Sequence, residues 1–197
     1  PKVSTLQKFI KGISAGRIKN FSLNNYKFEE EIDKNGAISD VLSPNQSVLI
    51  QIVKEPISTK GPRVTSELSI AGRFLVLVPF SNRISISQKI EDQKEKDRLR
   101  RLVKSITPKG FGVIVRTVAK GKKVAELDRD LQNLYGRWIA MCKKIRNANI
   151  PSKVMDEMNI SSKILRDLFD ENFTSILVND EALHLSLIHI SEPTRRL

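Results

Sequence analysis

Gly110-Phe111-Gly112-Val113-Ile114-Val115-Arg116-Thr117 is the stretch on which the fold of this chain turns. Val113, Ile114 and Val115 form a short continuous β-branched run next to glycines, the pattern of a buried strand and not of a helix. Where that strand leaves the core it presents a guanidinium beside a hydroxyl. A guanidinium offers a fork of donors matched to two oxygens of a phosphate, and an adjacent hydroxyl can bond a third. Arg116 and Thr117 also read as an arginine capping a strand end beside a solvated threonine. The remainder of the chain bears on the choice.

Upstream, Ile90 to Ile106 is charged and helical, with Leu99, Leu102, Val103 and Ile106 on one face and Asp92/Lys96 and Asp97/Arg101 four apart. Arg98, Arg100 and Arg101 read as a solvated face. Before it come Phe74–Val78, a strong β-forming run stopped by Pro79, and a short strand at Ile84 and Ile86. Further back, residues 47–53 and Arg63–Ile70 read as two strands joined by a basic loop containing Lys60-Gly61. Such a loop suits the edge of a small barrel that grips a phosphate backbone, and equally an ordinary solvated hairpin. Residues 1–46 read as an excursion over a surface, with Leu6, Phe9, Ile10 and Ile13 spaced for a turn or two of helix.

Downstream, Lys120-Gly121-Lys122 leads into a long amphipathic helix bearing Val124, Leu127, Leu131, Leu134, Trp138, Cys142 and Ile145 on its apolar stripe, and Asn149-Ile150-Pro151 breaks it. A second helical pattern covers 152–170, and Ile176-Leu177-Val178 reads as a short strand. The fold class is therefore α+β or α/β.

Lys and Arg number 34 against 22 Asp and Glu in 197 residues, a net charge of +12 and a pI near 9.9. That surplus suggests a polyanionic partner, nucleic acid first. No apolar run approaches the roughly 20 residues of a membrane span, and no secretory signal is visible. The single cysteine, Cys142, excludes an internal disulfide and a cysteine-rich zinc site, which fits a cytoplasmic protein. Pro1 in place of methionine reads as a processed product or a piece of a longer frame.

Taken in order and spacing, Val48–Pro56, Thr59–Arg63, Ile70–Pro79, Ile86–Ile90 and Gly112–Thr117 resemble the ribonuclease E/G family, most closely its ribonuclease G type from Bacteroidetes-like bacteria. The resemblance covers about residues 40–184. It implies an insertion followed by the C-terminal strands of an incomplete oligonucleotide-binding-type barrel in 1–70, an α/β 5′-sensor subdomain in 71–150 and the start of a ribonuclease-H-like scaffold in 151–184. Residues 185–197, which include His189, read as a non-native tail such as a translated sequencing adapter gives.

The resemblance further implies that Arg116, Thr117, Gly72 and Val76 hold a 5′-monophosphate and that Lys60 contacts RNA. It implies a homo-oligomeric parent acting on single-stranded RNA in rRNA and tRNA processing and mRNA decay. Catalytic Mg2+ and inter-subunit Zn2+ are expected in that parent. Asn179-Asp180 is not the family's Asp-x-Asn metal pair, so the chain itself is expected to be catalytically inert. The rival expectation is a non-enzymatic basic RNA-binding module; a DNA-binding or membrane-surface protein would explain the charge but not the ordered motifs.

Overall fold

The computed structural model describes residues 3–16, 18, 21–23, 37, 39, 42–156, 175, 177–181 and 184. It divides the chain into two compact units, Pro1–Glu157 and Met158–Leu197. The first contains α1 (Val3–Ser14), β1 (Gln51–Lys54), β2 (Arg63–Thr65), β3 (Ile70–Ala71), β4 (Leu75–Pro79), β5 (Ile84–Ile86), α2 (Gln93–Ile106), β6 (Phe111–Val115), a 3-10 turn (Thr117–Ala119) and α3 (Val124–Arg146). The architecture is mixed α+β, and no helix among the described residues is long and apolar enough to cross a membrane.

The expected β-branched run is the centre of a four-stranded sheet ordered β3-β4-β6-β5. β4 lies antiparallel to β6, with Leu75 opposite Val115 and Val76 opposite Ile114, while β5 runs parallel to β6. A parallel pair needs a crossover, and α2 supplies it. Along β4 the residues alternate: Leu75, Leu77 and Pro79 are buried, whereas Val76 and Val78 are half-buried. Pro79 closes β4 as its last residue, opposite Phe111. α2 starts where Asp92 Oδ1 accepts the Lys94 N–H, an N-cap that answers one of the helix's orphan donors. Asp97 pairs with Arg100 at 3.0 Å and not with Arg101, whose Nε reaches the Asp97 carbonyl at 3.4 Å.

The core converges on Trp138 of α3. Its ring stacks on Phe9 at 5.5 Å and meets Phe80 and Phe111 edge-on at 5.9 and 5.7 Å. Its indole N–H donates to the Phe21 carbonyl at 3.2 Å. Leu6, Phe9, Ile13, Phe21 and Leu23 are all buried, so the described part of residues 1–23 belongs to the core and is not a surface excursion. Gly110 is required by the same packing. Its φ is +88°, and a Cβ there would stand 2.4 Å from Leu23 Cβ.

Among the described residues there is no closed barrel. β1 and β2 form a separate two-stranded antiparallel ribbon with Ile52 opposite Val64. The expected single strand over Arg63–Ile70 is two strands in two sheets. Thr65 Oγ1 accepts the Glu67 N–H and bends the chain, and the Ser69 N–H then goes to Gln51 Oε1. Val48, Ile50 and Ile52, whose alternation reads as a buried strand face, are 37%, 45% and 62% exposed, because two strands alone bring no second layer to cover them.

Most of the helix expected over 152–170 lies outside the described residues, and 152–156 are neither helix nor strand. In the second unit Leu177 and Val178 are not in a strand, and His184 N–H donates to the Asp180 carbonyl at 2.9 Å. Ile176 and residues 185–197 lie outside the described set.

Phe9→Ala is expected to cost about 3–5 kcal/mol in urea denaturation. A residue on a mere surface excursion would change stability by less than about 0.5 kcal/mol, and that outcome would remove α1 from the core.

Candidate functional site

β6 ends at Val115 and delivers Arg116 to the end of the sheet. The Arg116 backbone N–H continues the ladder to the Phe74 carbonyl at 2.8 Å. Its side chain folds back onto the turn before β4, with Nη1 donating to the Gly72 carbonyl at 2.8 Å and to the Arg73 carbonyl at 3.3 Å. Thr117 is exposed and its hydroxyl lies 3.0 Å from that of Ser87. Ser87 is in turn held by donating its N–H to the Val115 carbonyl. Arg116, Thr117 and Gly72 are thus brought together, with Val76 beside them opposite Ile114, on the sheet face away from the buried residues.

Gly72 contributes less directly than expected. Its N–H donates to the Leu75 carbonyl at 2.8 Å, so what it offers the corner is the carbonyl that seats Arg116. A Cβ at this position would come within 2.6–2.9 Å of the Asp130 carboxylate and force it to shift. That carboxylate, on α3, accepts the backbone N–H groups of Arg73, Phe74 and Leu75 at 3.2, 2.9 and 2.9 Å. Arg137, two turns further along α3, donates to the Ala71 carbonyl at 3.1 Å. Hydrogen bonds to a charged group are worth about 1.5–3 kcal/mol each, so the turn is firmly set.

Positive charge gathers beside this turn. The Arg73 guanidinium and the Lys122 amino group lie 5.4 and 5.6 Å from the centre of the Phe74 ring, within cation–π range. Lys122 also pairs with Glu126 at 3.2 Å. Glu126 accepts the Lys123 N–H at 2.9 Å, closing the start of α3, and that bond together with Lys122 lowers its pKa.

The segment carrying these lysines is fastened from α2. Glu95 receives two bonds from Arg98, at 2.6 and 2.7 Å, and the Gly121 N–H at 2.8 Å, while Arg98 donates onward to the Lys122 carbonyl at 3.1 Å. The Arg98 guanidinium, then the Gly121 N–H, hold the Glu95 carboxyl down to about 2. Arg98 is therefore a structural clamp and not part of a solvated face.

Lys60 stands apart. It is exposed at the tip of the β1–β2 ribbon, in a tight turn where Ile57 and Lys60 exchange backbone bonds at 3.0 and 3.1 Å. The ribbon is a different sheet from the one that carries Arg116. Asp130 escaped sequence reasoning because its partners are main-chain groups, and Glu95 and Arg98 because the contacts that tie their pair to the 121–122 segment are main-chain groups too. The one available signal was the Glu95/Arg98 spacing of three along a helix.

Burial raises the Cys142 thiol to about 12, which leaves no thiolate nucleophile. Among the described residues no group of three or more His, Cys, Asp or Glu side chains could hold a metal ion. Those residues do not fit a catalytic metal.

Together these features make an α+β unit in which the end of a central strand displays an anchored guanidinium and a hydroxyl with Lys122 nearby. The model of the ribonuclease E/G family matches residues 69–193, and this chain belongs to that family. The match extends past residue 184, where the sequence resemblance was expected to end. Ribonuclease E of Nostoc sp. is 35% identical over 143 residues, 73% of this chain and 21% of that protein. The ribonuclease E/G-like protein of Porphyra purpurea is 32% identical over 186 residues, covering 90% and 36%. Ribonuclease G of Escherichia coli K12 is 29% identical over 165 residues, covering 81% and 34%. The chain spans between about a fifth and a little over a third of these relatives.

Because the folded Glu95 carboxyl titrates below its ordinary 4.5, it adds stability above that pH that is lost as pH falls toward 2. Glu95→Gln is expected to lower the urea midpoint near pH 7, with the gap from wild type closing between about pH 4.5 and 2. A gap independent of pH would refute the clamp.

Proposed function

We propose that the corner around Arg116 is the 5′-monophosphate sensor of a hydrolytic endoribonuclease, and that this chain is its RNA-gripping portion. The observation that carries the reading is the seating of Arg116 on the Gly72 and Arg73 carbonyls beside the Thr117 hydroxyl. Seating fixes the plane of the fork in advance, so less freedom is lost when a phosphate docks. A terminal monophosphate presents several acceptor oxygens and about −1.5 to −2 charges, by analogy with phosphorylated side chains. Arg73 and Lys122 add positive field beside it, and Val76 offers an apolar contact to the first nucleotide.

Lys60, on the ribbon, would meet the phosphate backbone of the same single-stranded RNA. We take the β1–β2 ribbon as barrel-type RNA-binding sequence, 71–150 as the sensor and 151–184 as the start of the scaffold. The parent is a cytoplasmic homo-oligomer acting in rRNA and tRNA processing and mRNA decay. The chemistry of cleavage resides in portions of the parent other than these residues. Membership of the ribonuclease E/G family and the +12 charge support this reading over a binding module unrelated to any nuclease.

The test is fluorescence anisotropy of one short single-stranded RNA bearing a 5′-monophosphate, 5′-hydroxyl or 5′-triphosphate, titrated at several salt concentrations. Monophosphate RNA is expected to bind best. Arg116→Gln should reduce its advantage over hydroxyl RNA roughly 10- to 100-fold while leaving the salt dependence nearly intact. Equal binding of all three ends by folded wild-type protein would overturn the sensor and leave a general basic RNA binder.

A further inference from the structure

We infer that Asp130 is a positioning residue for the Arg116 guanidinium, acting through two peptide planes that lie between them. The inference rests on the sensor reading above and adds a residue to it. The Gly72–Arg73 peptide donates its N–H to Asp130 at 3.2 Å and offers its carbonyl to Arg116 Nη1 at 2.8 Å. The Arg73–Phe74 peptide repeats the arrangement, with N–H to Asp130 at 2.9 Å and carbonyl to Arg116 at 3.3 Å.

A trans peptide is planar, and its N–H and C=O point in opposite directions. Each plane is therefore a rigid lever with the carboxylate at one end and the guanidinium at the other. Neither plane can rotate to release Asp130 without withdrawing a carbonyl from Arg116. The carboxylate also polarises both peptides in the sense that makes their oxygens better acceptors. Leu75, whose N–H is the third on Asp130, has a carbonyl that takes the Gly72 N–H and so closes the turn. Arg137 holds the Ala71 carbonyl from the same helix. Arg116 follows β6 and Asp130 is on α3, so the aim of the guanidinium depends on that helix through this turn.

The experiment compares the whole chain with Asp130→Asn, using RNA with a 5′-monophosphate and the same RNA with a 5′-hydroxyl. Circular dichroism and a thermal melt run in parallel. Asparagine keeps one acceptor oxygen and loses the charge, so the fold is expected to survive with a lower melting temperature. The monophosphate-to-hydroxyl affinity ratio is expected to fall about tenfold, while affinity for hydroxyl RNA and its salt dependence stay as in wild type. A purely structural role would lower the melting temperature without changing that ratio.

If wild type prefers the monophosphate and folded Asp130→Asn keeps the full preference, the inference is overturned and the sensor reading stands. If wild type shows no preference, the sensor reading fails and takes this inference with it. Should Asp130→Asn not fold, Asp130→Glu replaces it, because it keeps the charge but moves the carboxylate by one methylene away from the three N–H groups. Its ratio is judged in the same way.

Discussion

Burial of the Trp138 ring is the interaction on which the first unit depends. One indole touches α1 through Phe9, the end of β4 through Phe80 and the start of β6 through Phe111, and its N–H fixes the Phe21 carbonyl. A buried indole that lacked that acceptor would lose much of what its area contributes. With it, α3 is registered against the sheet. That register brings Asp130 and Arg137, two turns and less along the same helix, against the 71–75 turn. The aromatic core and the polar corner are thus two ends of one helix placement.

The corner is built by division of labour among elements. β6 supplies Arg116 and leads into Thr117, the turn before β4 supplies carbonyls, α3 holds that turn, and α2 fastens the lysine-bearing segment through Glu95 and Arg98. Main-chain groups do most of the joining. This is an economical way to hold a charged site, because backbone dipoles are fixed by secondary structure and lose little freedom when they bond.

The strand at 111–115, the helices at 93–106 and 124–146 and the apolar stripe of α3 were legible because their periods are local and strong. The division of Arg63–Ile70 was not. Val64, Leu68 and Ile70 keep the parity of a single strand, and nothing in that alternation reveals that the partner changes after Thr65. The apolar spacing of Leu6, Phe9 and Ile13 announced a helix but not its burial, since its partners are far along the chain. Of the site, the donors Arg116 and Thr117 could be read from their chemistry. Asp130 could not, because an acidic residue on a helix looks the same whether it faces water or three peptide N–H groups.

The placement of Trp138 also bears on the order of events as the chain is synthesised. Phe21 and the indole that it binds are 117 residues apart, and β4 finds β6 only after β5 and α2 have been made. Contacts of such long range form late and slowly. Until α3 emerges, α1 has Phe80 but not the Trp138 ring against Phe9, so its apolar side stays partly uncovered while β5, α2 and β6 are made. Of the three helices of the first unit among the described residues, the last completes the aromatic cover of the first.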